Sequence, residues 1–502
     1  MTHPGFQQKL GDARQLLLSG NLEEAFASYR KLTRTFPGQS AVWFEFGTTA
    51  SRLGQRDVAT RAWERALAIE PRNVALIVQV GHQYAAWRTP ELARACFVRA
   101  ALADSQAIDP RISLAVLSEQ QHRLADARAV VEECLAIDPR DDQARYLSAV
   151  LDRREGRIEA AEGRLRDLIQ SDPRHPYVRY ACRYELAQIL DRTGRFHEAM
   201  KFLVEAKQIV RSLTDIEVLL RSYDHAAEAS RRVSSGLPQD ILTTWAKSFP
   251  AEEREPTPPL AFLGGHPRSG TTLLEQILDA HAGIAALDEP LAFGEVLQPA
   301  FRQLPDQSVE RLNYLRRIYA EALQVELDGA GAERLLLDKN PSFTASLPLW
   351  LRVFPEIRII IALRDPRDVV LSCYFQNLLL NPTNANFLTF DRLAKHYADL
   401  MDVWLAVREW EGFAWLETRY EAVVSDLEGE GRRATSFLGR DWREEQTRSH
   451  EPSQHKQFYS PTYQDVTRPV YCSSVGRWRA YEKHLAPILP ALDSYCRRFG
   501  YD

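Results

Sequence analysis

Residues able to do chemistry concentrate in one short stretch, Ala261–Ala280, which reads AFLGGHPRSGTTLLEQILDA. Its polar centre is His266-Pro267-Arg268-Ser269-Gly270-Thr271-Thr272, entered through Gly264-Gly265. Glycines let the backbone approach an anion, and successive N–H groups at a helix N-terminus can then face it. Gly265 and Gly270 have Walker-type spacing, but Thr271 stands where an NTPase needs the lysine for its β- and γ-phosphates. The cation inside this loop is Arg268 instead. The pattern predicts a nucleotide with a short 5′ chain, not ATP spent at its γ-phosphate, and this disfavours a nucleotide kinase. An ordinary strand–turn–helix would account for the glycines, but for neither the arginine nor the Ser-Gly-Thr-Thr run.

The elements that must position these groups can be read around them. Ala261-Phe262-Leu263 is a short strand, and Leu273, Leu274, Ile277 and Leu278 recur at helical spacing. Leu335-Leu336-Leu337 runs into Asp338-Lys339-Asn340-Pro341. Ile357–Leu363 is nearly continuous apolar sequence, as a buried parallel strand requires, and it runs into Arg364-Asp365-Pro366-Arg367-Asp368. Proline and aspartate suit the first turn of the helix that follows, through Val369, Val370 and Cys373. Phe413–Leu416 is a further strand candidate ending near Arg419-Tyr420-Glu421. Ligands of doubly wound sheets bind outside the carboxyl ends of the strands, and each polar cluster above lies at such an end. The histidines of this half show no metal-ligand spacing, so no metal is expected.

The N-terminal half follows another rule. Small residues recur every 34 positions at Ala13, Gly47, Gly81, Ala115 and Ala149, and again twelve later at Ala25, Ala59, Ala93, Ala127 and Ala161. Ala187 and Ala199 keep the spacing of twelve but arrive four residues late. Pro37, Pro71, Pro139 and Pro173 close units, and Ser105 breaks that series. Two helices pack closely where side chains are smallest, and proline ends the second. The pattern resembles the tetratricopeptide repeat and predicts a right-handed α-solenoid of about six repeats over residues 6–213. Ile216–Ala229 reads as a capping helix, and Phe249–Pro259 as a stiff, charged, proline-rich linker, so residues 214–257 join the array to a second domain over 258–502.

Composition sets bounds. The 502 residues carry 45% hydrophobic and 26% charged side chains and a net charge of -5, which argues against a nucleic-acid partner. No apolar leader and no membrane-spanning run is seen. Six scattered cysteines without a C-x-x-C pair read as reduced thiols, and a cytoplasmic location is expected.

The strand with PRSGTT, the Lys-Asn-Pro after a strand, and LRDPRDVVLSCY together resemble the sulfotransferase superfamily, and among its members the tyrosylprotein sulfotransferases, over about Pro259 to Asp502. The whole chain resembles bacterial proteins that join tetratricopeptide repeats to such a domain. The fold class expected is α + α/β: the solenoid, then a P-loop-like α/β domain with a parallel sheet. The resemblance implies 3′-phosphoadenosine 5′-phosphosulfate (PAPS) as sulfuryl donor, with the bisphosphate PAP as product. It places His266–Thr272 around the 5′-phosphosulfate with Arg268 on its charged oxygens. It sets Arg364 and Ser372 on the 3′-phosphate, Tyr420 near the adenine, and Thr462, Arg477 and Trp478 in a late loop over the cofactor. Gln376 stands where the family has a further arginine. Glu289, 21 residues after Arg268, aligns with the general base, with His266 as an alternative substrate contact or base, and Lys339 would stabilise the leaving-group oxygen. The acceptor implied is a tyrosine of a protein or peptide recruited by the repeats. A carbohydrate or small-molecule hydroxyl, and a repeat scaffold with an inactive nucleotide-binding domain, remain alternatives, and a homodimer is left open.

Overall fold

The computed structural model describes residues 4–298, 308–327, 333–449 and 472–501. The chain divides into two units, Met1–Glu185 and Leu186–Asp502.

The first unit is a succession of helix pairs: α1 (Pro4–Leu18) with α2 (Leu22–Thr35), α3 (Ser40–Arg52) with α4 (Arg56–Ile69), α5 (Val74–Ala86) with α6 (Pro90–Ala103), α7 (Asp109–Gln120) with α8 (Leu124–Ile137), and α9 (Asp142–Arg154) with α10 (Ile158–Gln170). The small positions explain the pairing. Ala13, Ala25, Ala59, Ala93, Ala127, Ala149 and Ala161 are fully buried. A Cβ added to Gly47 would come within 2.6 Å of the Trp63 ring, and one on Gly81 within 2.5 Å of Phe97. A left-handed residue follows the first helix of each pair two positions after its end, at Gly20, Gly54, Arg88, His122 and Gly156, again every 34 residues. Such residues close helices, usually as glycine. Here the closing geometry persists at Arg88 and His122, where the glycine does not.

The sixth pair spans the division. α11 (Pro176–Arg192) has 17 residues where α3, α5 and α9 have 13, and this extra helical turn accounts for the four-residue delay of Ala187 and Ala199. The second unit takes up the end of α11 and continues through α12 (Phe196–Ser212), α13 (Ile216–Gly236) and α14 (Ile241–Ser248).

Five parallel strands follow: β1 (Leu260–Gly265), β2 (Ile284–Asp288), β3 (Leu335–Lys339), β4 (Arg358–Leu363) and β5 (Ala414–Arg419), in the order β2-β3-β1-β4-β5. Between them run α15 (Thr271–Asp279), α16 (Val309–Glu326), α17 (Leu347–Val353), α18 (Pro366–Tyr374) and α19 (Phe390–Val407), with α20 (Tyr420–Ser425) after β5. Leu263 on β1 and Ile359, Ile360 and Ile361 on β4 have no exposed surface, as expected of strands covered on both faces. The connections step to one side of β1 through β2 and β3, and to the other through β4 and β5. β1 therefore sits at the topological switch, where its carboxyl end opens the crevice used by α/β folds. The predicted class, a helical repeat array followed by an α/β domain with a parallel sheet, is the observed one. The fifth strand is longer than Phe413–Leu416 and runs to Arg419. β2 escaped the sequence reading, because IAALD is too short and too weakly patterned to stand out.

Candidate active site

The phosphate loop is pinched from two sides. Gly265 has φ 126°, and a Cβ there would strike the Ala362 carbonyl of neighbouring β4. Gly270 has φ 90°, caps α15, and leaves 2.6 Å between a hypothetical Cβ and the Tyr420 ring. Only glycine suits either place, since left-handed backbone and close approach coincide there. Gly270 has no side chain to cap the first N–H groups of α15, which leaves that turn suited to an anion. Between the glycines, Arg268 is itself left-handed, at φ 75°.

Long-range contacts hold Arg268. Its Nε donates to Ser372 Oγ at 3.1 Å, and its carbonyl accepts from Arg364 Nη1 at 3.1 Å. The Arg364 guanidinium lies 4.8 Å from the Tyr420 ring centroid. Arg268, Gly270, Arg364, Ser372 and Tyr420 are thus brought together from four parts of the chain, at the carboxyl ends of β1, β4 and β5. Arg364 is 6% exposed, and its Nε has no hydrogen-bond partner among the described residues. A buried guanidinium N–H without a partner is costly, and a phosphate oxygen is the acceptor such a group suits. Two guanidinium groups, a hydroxyl and a glycine-capped helix start fit a phosphorylated nucleotide. Gln376 folds back, donating to Ser372 O at 2.9 Å.

A second cluster lies at the ends of β2 and β3. Lys339 has no exposed surface. Its ammonium pairs with Asp288, lies 3.3 Å from Glu289 Oε1, and lies 3.9 Å from Glu275 Oε2 on α15. Burial pulls the Lys339 pKa down, but the charges of Asp288, Glu289 and Glu275 together outweigh it and hold the lysine raised and charged. Glu289 is left-handed at φ 52°, its N–H donates to Lys339 O at 2.8 Å, and its side chain is 35% exposed. The next turn is fixed by Glu326 of α16, whose Oε1 accepts from the N–H groups of Leu291 and Ala292 at 3.1 and 3.3 Å. On the other face of β3, Asp338 accepts from the Tyr319 hydroxyl, and burial raises its carboxyl to about 8. Among the described residues of the second unit, Arg268 and Glu289 are the two non-glycine residues with left-handed backbone. Strain of this kind gathers at functional sites.

Several sequence expectations are corrected. His266 does not offer its ring to a ligand: it is fully buried, Nδ1 lies 2.8 Å from Pro267 O, and Nε2 lies 2.8 Å from His396 Nδ1 on α19. Burial lowers its pKa to about 4, so it is a neutral support of the loop rather than a base facing substrate. Lys339 is closed to solvent and its ammonium meets carboxylates, Asp288 and Glu289 nearest. Arg477 pairs with Asp191, through Nη2 at 2.9 Å, instead of standing free for a ligand. Trp478 contributes its backbone N–H to Asp368 at 2.7 Å, and its ring lies under Arg367 at 4.2 Å. Thr462 lies outside the described residues. The sequence reading missed Asp288, Glu275, Glu326, Asp368 and His396. Asp288, Asp368 and Glu275 carried a signal, being acids beside or close to motif residues, whereas Glu326 and His396 lie far away in sequence.

Residues 259–444 match the family model described as Sulfotransferase family. The second unit carries a sulfotransferase-family domain. Residues 118–182 and 180–209 match tetratricopeptide-repeat models. An uncharacterized protein of Aquifex aeolicus is 23% identical over 331 residues, 62% of this chain and 41% of its own length, so the chain spans less than half of that relative. Protein-tyrosine sulfotransferase A of Caenorhabditis elegans is 24% identical over 264 residues, 49% of this chain and 68% of its own. Among solved structures, the sulfotransferase domain of the Synechococcus PCC 7002 olefin synthase aligns with TM-score 0.35 and 20% identity, over 50% of this chain and 96% of that one. All the described candidate residues of the sulfotransferase domain except Arg477 and Trp478 fall within the matched segment. Among the described residues no helix is long and apolar enough to cross a membrane.

Proposed function

We propose that the sulfotransferase domain moves the sulfuryl group of PAPS to a tyrosine hydroxyl of a protein or peptide acceptor, with the repeats as the recruiting surface. The observation that carries this reading is the pair of strained residues, Arg268 and Glu289, at the ends of β1 and β2 on either side of Lys339. One offers a cation to developing negative charge and the other a carboxylate to an acidic proton. Similarity to protein-tyrosine sulfotransferases supports the choice of acceptor.

PAPS, when bound, supplies the activated sulfuryl group and a bisphosphorylated leaving group. The residues here have three tasks. The His266–Thr272 backbone and Arg268 bind the 5′ end and stabilise charge on its oxygens. Arg364 and Ser372 hold the 3′-phosphate, which fixes the nucleotide along the sheet edge, with Tyr420 bordering the base. Glu289 takes the proton from the acceptor O–H as that oxygen attacks. A tyrosine hydroxyl has a reference pKa of about 10, so the proton must leave during attack rather than before it. Lys339 orients Glu289 through their 3.3 Å contact.

The test is transfer of labelled sulfate from PAPS to a tyrosine peptide and to a glycan, assayed side by side. Label in the peptide supports the reading. Label in the glycan alone replaces the acceptor with a carbohydrate, and label in neither, with PAP bound, leaves a nucleotide-binding scaffold.

A further inference from the structure

The segment Cys472–Tyr481 is held at three points, by Arg364, by Asp368 and by Asp191. Ser474 O accepts from Arg364 Nη2 at 2.5 Å. Asp368 accepts from the N–H groups of Gly476 and Trp478 at 2.6 and 2.7 Å. Between those two residues, Arg477 turns the other way and is gripped by Asp191, with Nε to Oδ1 at 3.1 Å and Nη2 to Oδ2 at 2.9 Å. The Tyr481 hydroxyl donates to the same Asp191 Oδ1 at 2.7 Å. Phe375 completes the clamp, 4.2 Å from the Arg477 guanidinium. Asp191 lies in the last turn of α11, within residues 180–209 that match a repeat model, and its side chain is 14% exposed.

We propose that Asp191 is a positioning residue for the 3′-phosphate site. It fixes both ends of the Arg477–Tyr481 turn, which sets the Ser474 carbonyl, which in turn holds the Arg364 guanidinium. This rests on the reading above, in which Arg364 receives the 3′-phosphate. The geometry favours the assignment because Arg364 is fixed by two backbone carbonyls, Arg268 O and Ser474 O, while its Nε keeps no partner among the described residues. A guanidinium held in plane recognises phosphate well because little freedom remains to be lost on binding. If the Ser474 carbonyl shifts, one of the two anchors goes. Replacing Asp191 by asparagine keeps the shape but removes the charge, and it sets an amide donor against an arginine donor in a contact that is now bidentate and charge-assisted.

The experiment measures Kd for adenosine 3′,5′-bisphosphate and for adenosine 5′-monophosphate on the full chain, by calorimetry. In the wild type the bisphosphate binds more tightly. In Asp191→Asn its Kd rises about tenfold while that of the monophosphate changes less than twofold, the loss of one charge-assisted contact. Asp191→Glu retains the charge and restores part of the preference. Arg477→Lys, which keeps charge but loses the paired donors, reproduces the loss and serves if Asp191→Asn does not fold. A merely structural role would weaken both nucleotides equally, and that result overturns the proposal. So does an Asp191→Asn protein with the full preference of the wild type. A wild type with no preference for the bisphosphate instead removes the PAPS reading, and this inference with it.

Discussion

Acid should loosen the phosphate loop through His266, and the size of the effect follows from its contacts. Pro267 O can only accept, so His266 Nδ1 carries the proton across their 2.8 Å contact. Nε2 is therefore a lone pair and accepts from His396 Nδ1–H, also at 2.8 Å. A second proton on His266 would set two N–H groups head to head in a site without solvent. Burial lowers the His266 pKa from 6.5 to about 4. The unfolded chain thus takes up a proton near pH 6.5 that the folded chain refuses until about pH 4. Stability from this group is present above 6.5 and is lost as pH falls through that window. At 1.36 kcal/mol per pKa unit the full loss is about 3 kcal/mol, and about 2 kcal/mol has gone by pH 5. His396, lowered further by burial and then by His266, acts in the same direction.

The raw pH curve will not isolate this effect, because Asp338 opposes it. Burial raises that carboxyl from 3.8 to about 8, so the folded chain keeps a proton that the unfolded chain releases. Its contribution is complete below 3.8 and is lost as pH rises through 8. The comparison must therefore be with His266→Gln, whose amide can donate to Pro267 O and accept from His396 without titrating. Urea unfolding of both proteins at pH 7 and pH 5, followed by tryptophan fluorescence, gives the difference. The wild type should lose about 2 kcal/mol more than the variant. Parallel losses in the two proteins would refute the neutral, proton-ordered histidine pair.

Glu289→Gln should lower kcat by about 10²–10⁴-fold while leaving PAP affinity within about twofold, because a base contributes to the transition state and not to nucleotide binding. Turnover within tenfold of wild type, measured by label transfer, would send the search to another base. Arg364→Ala should weaken adenosine 3′,5′-bisphosphate by about 10–100-fold and adenosine 5′-monophosphate far less. Equal loss on both, by calorimetry, would move Arg364 off the 3′-phosphate. Lys339→Met should destabilise the protein by about 3–5 kcal/mol, since it removes the buried cation that Asp288 and Glu275 face, and urea midpoints will show whether it does.

How far the sequence reaches depends on the range of the interaction. The repeats were legible because their cause is local and recurrent: a small residue must meet its partner twelve positions on, and Ala25, Ala59, Ala93, Ala127 and Ala161 are all fully buried where that rule puts them. Even the late arrival of Ala187 has a local cause, one extra turn in α11. The polar strand ends were legible for a similar reason, since an apolar run followed by Arg-Asp-Pro-Arg-Asp can hardly end elsewhere than at a sheet edge. Partners across the fold were not legible. His266 meets a histidine 130 residues away, and Arg477 an aspartate 286 residues away. Periodicity describes a chain's neighbours along one element and says nothing of which distant side chain fills the space opposite. Lys339 shows the cost: its position at a strand end was read correctly, but three carboxylates around its ammonium change what it can do.

The same distinction explains why the two residues expected to do the chemistry are also the strained ones. A left-handed arginine or glutamate costs of order 1–3 kcal/mol unless its surroundings impose that conformation. Arg268 is imposed upon through its own carbonyl, held by Arg364, and through its guanidinium, held by Ser372. Glu289 is imposed upon through its N–H, held by Lys339 O, and through the following turn, held by Glu326. In both cases the restraint comes from a neighbouring strand end or a later helix, so the conformation exists only once the sheet has assembled. Arg268→Gly relieves the backbone at φ 75° and removes the cation, so relief and loss of binding should arrive together. Thermal unfolding of that variant should be unchanged or improved while bisphosphate affinity falls, and a variant that binds normally would mean that the loop backbone alone holds the nucleotide.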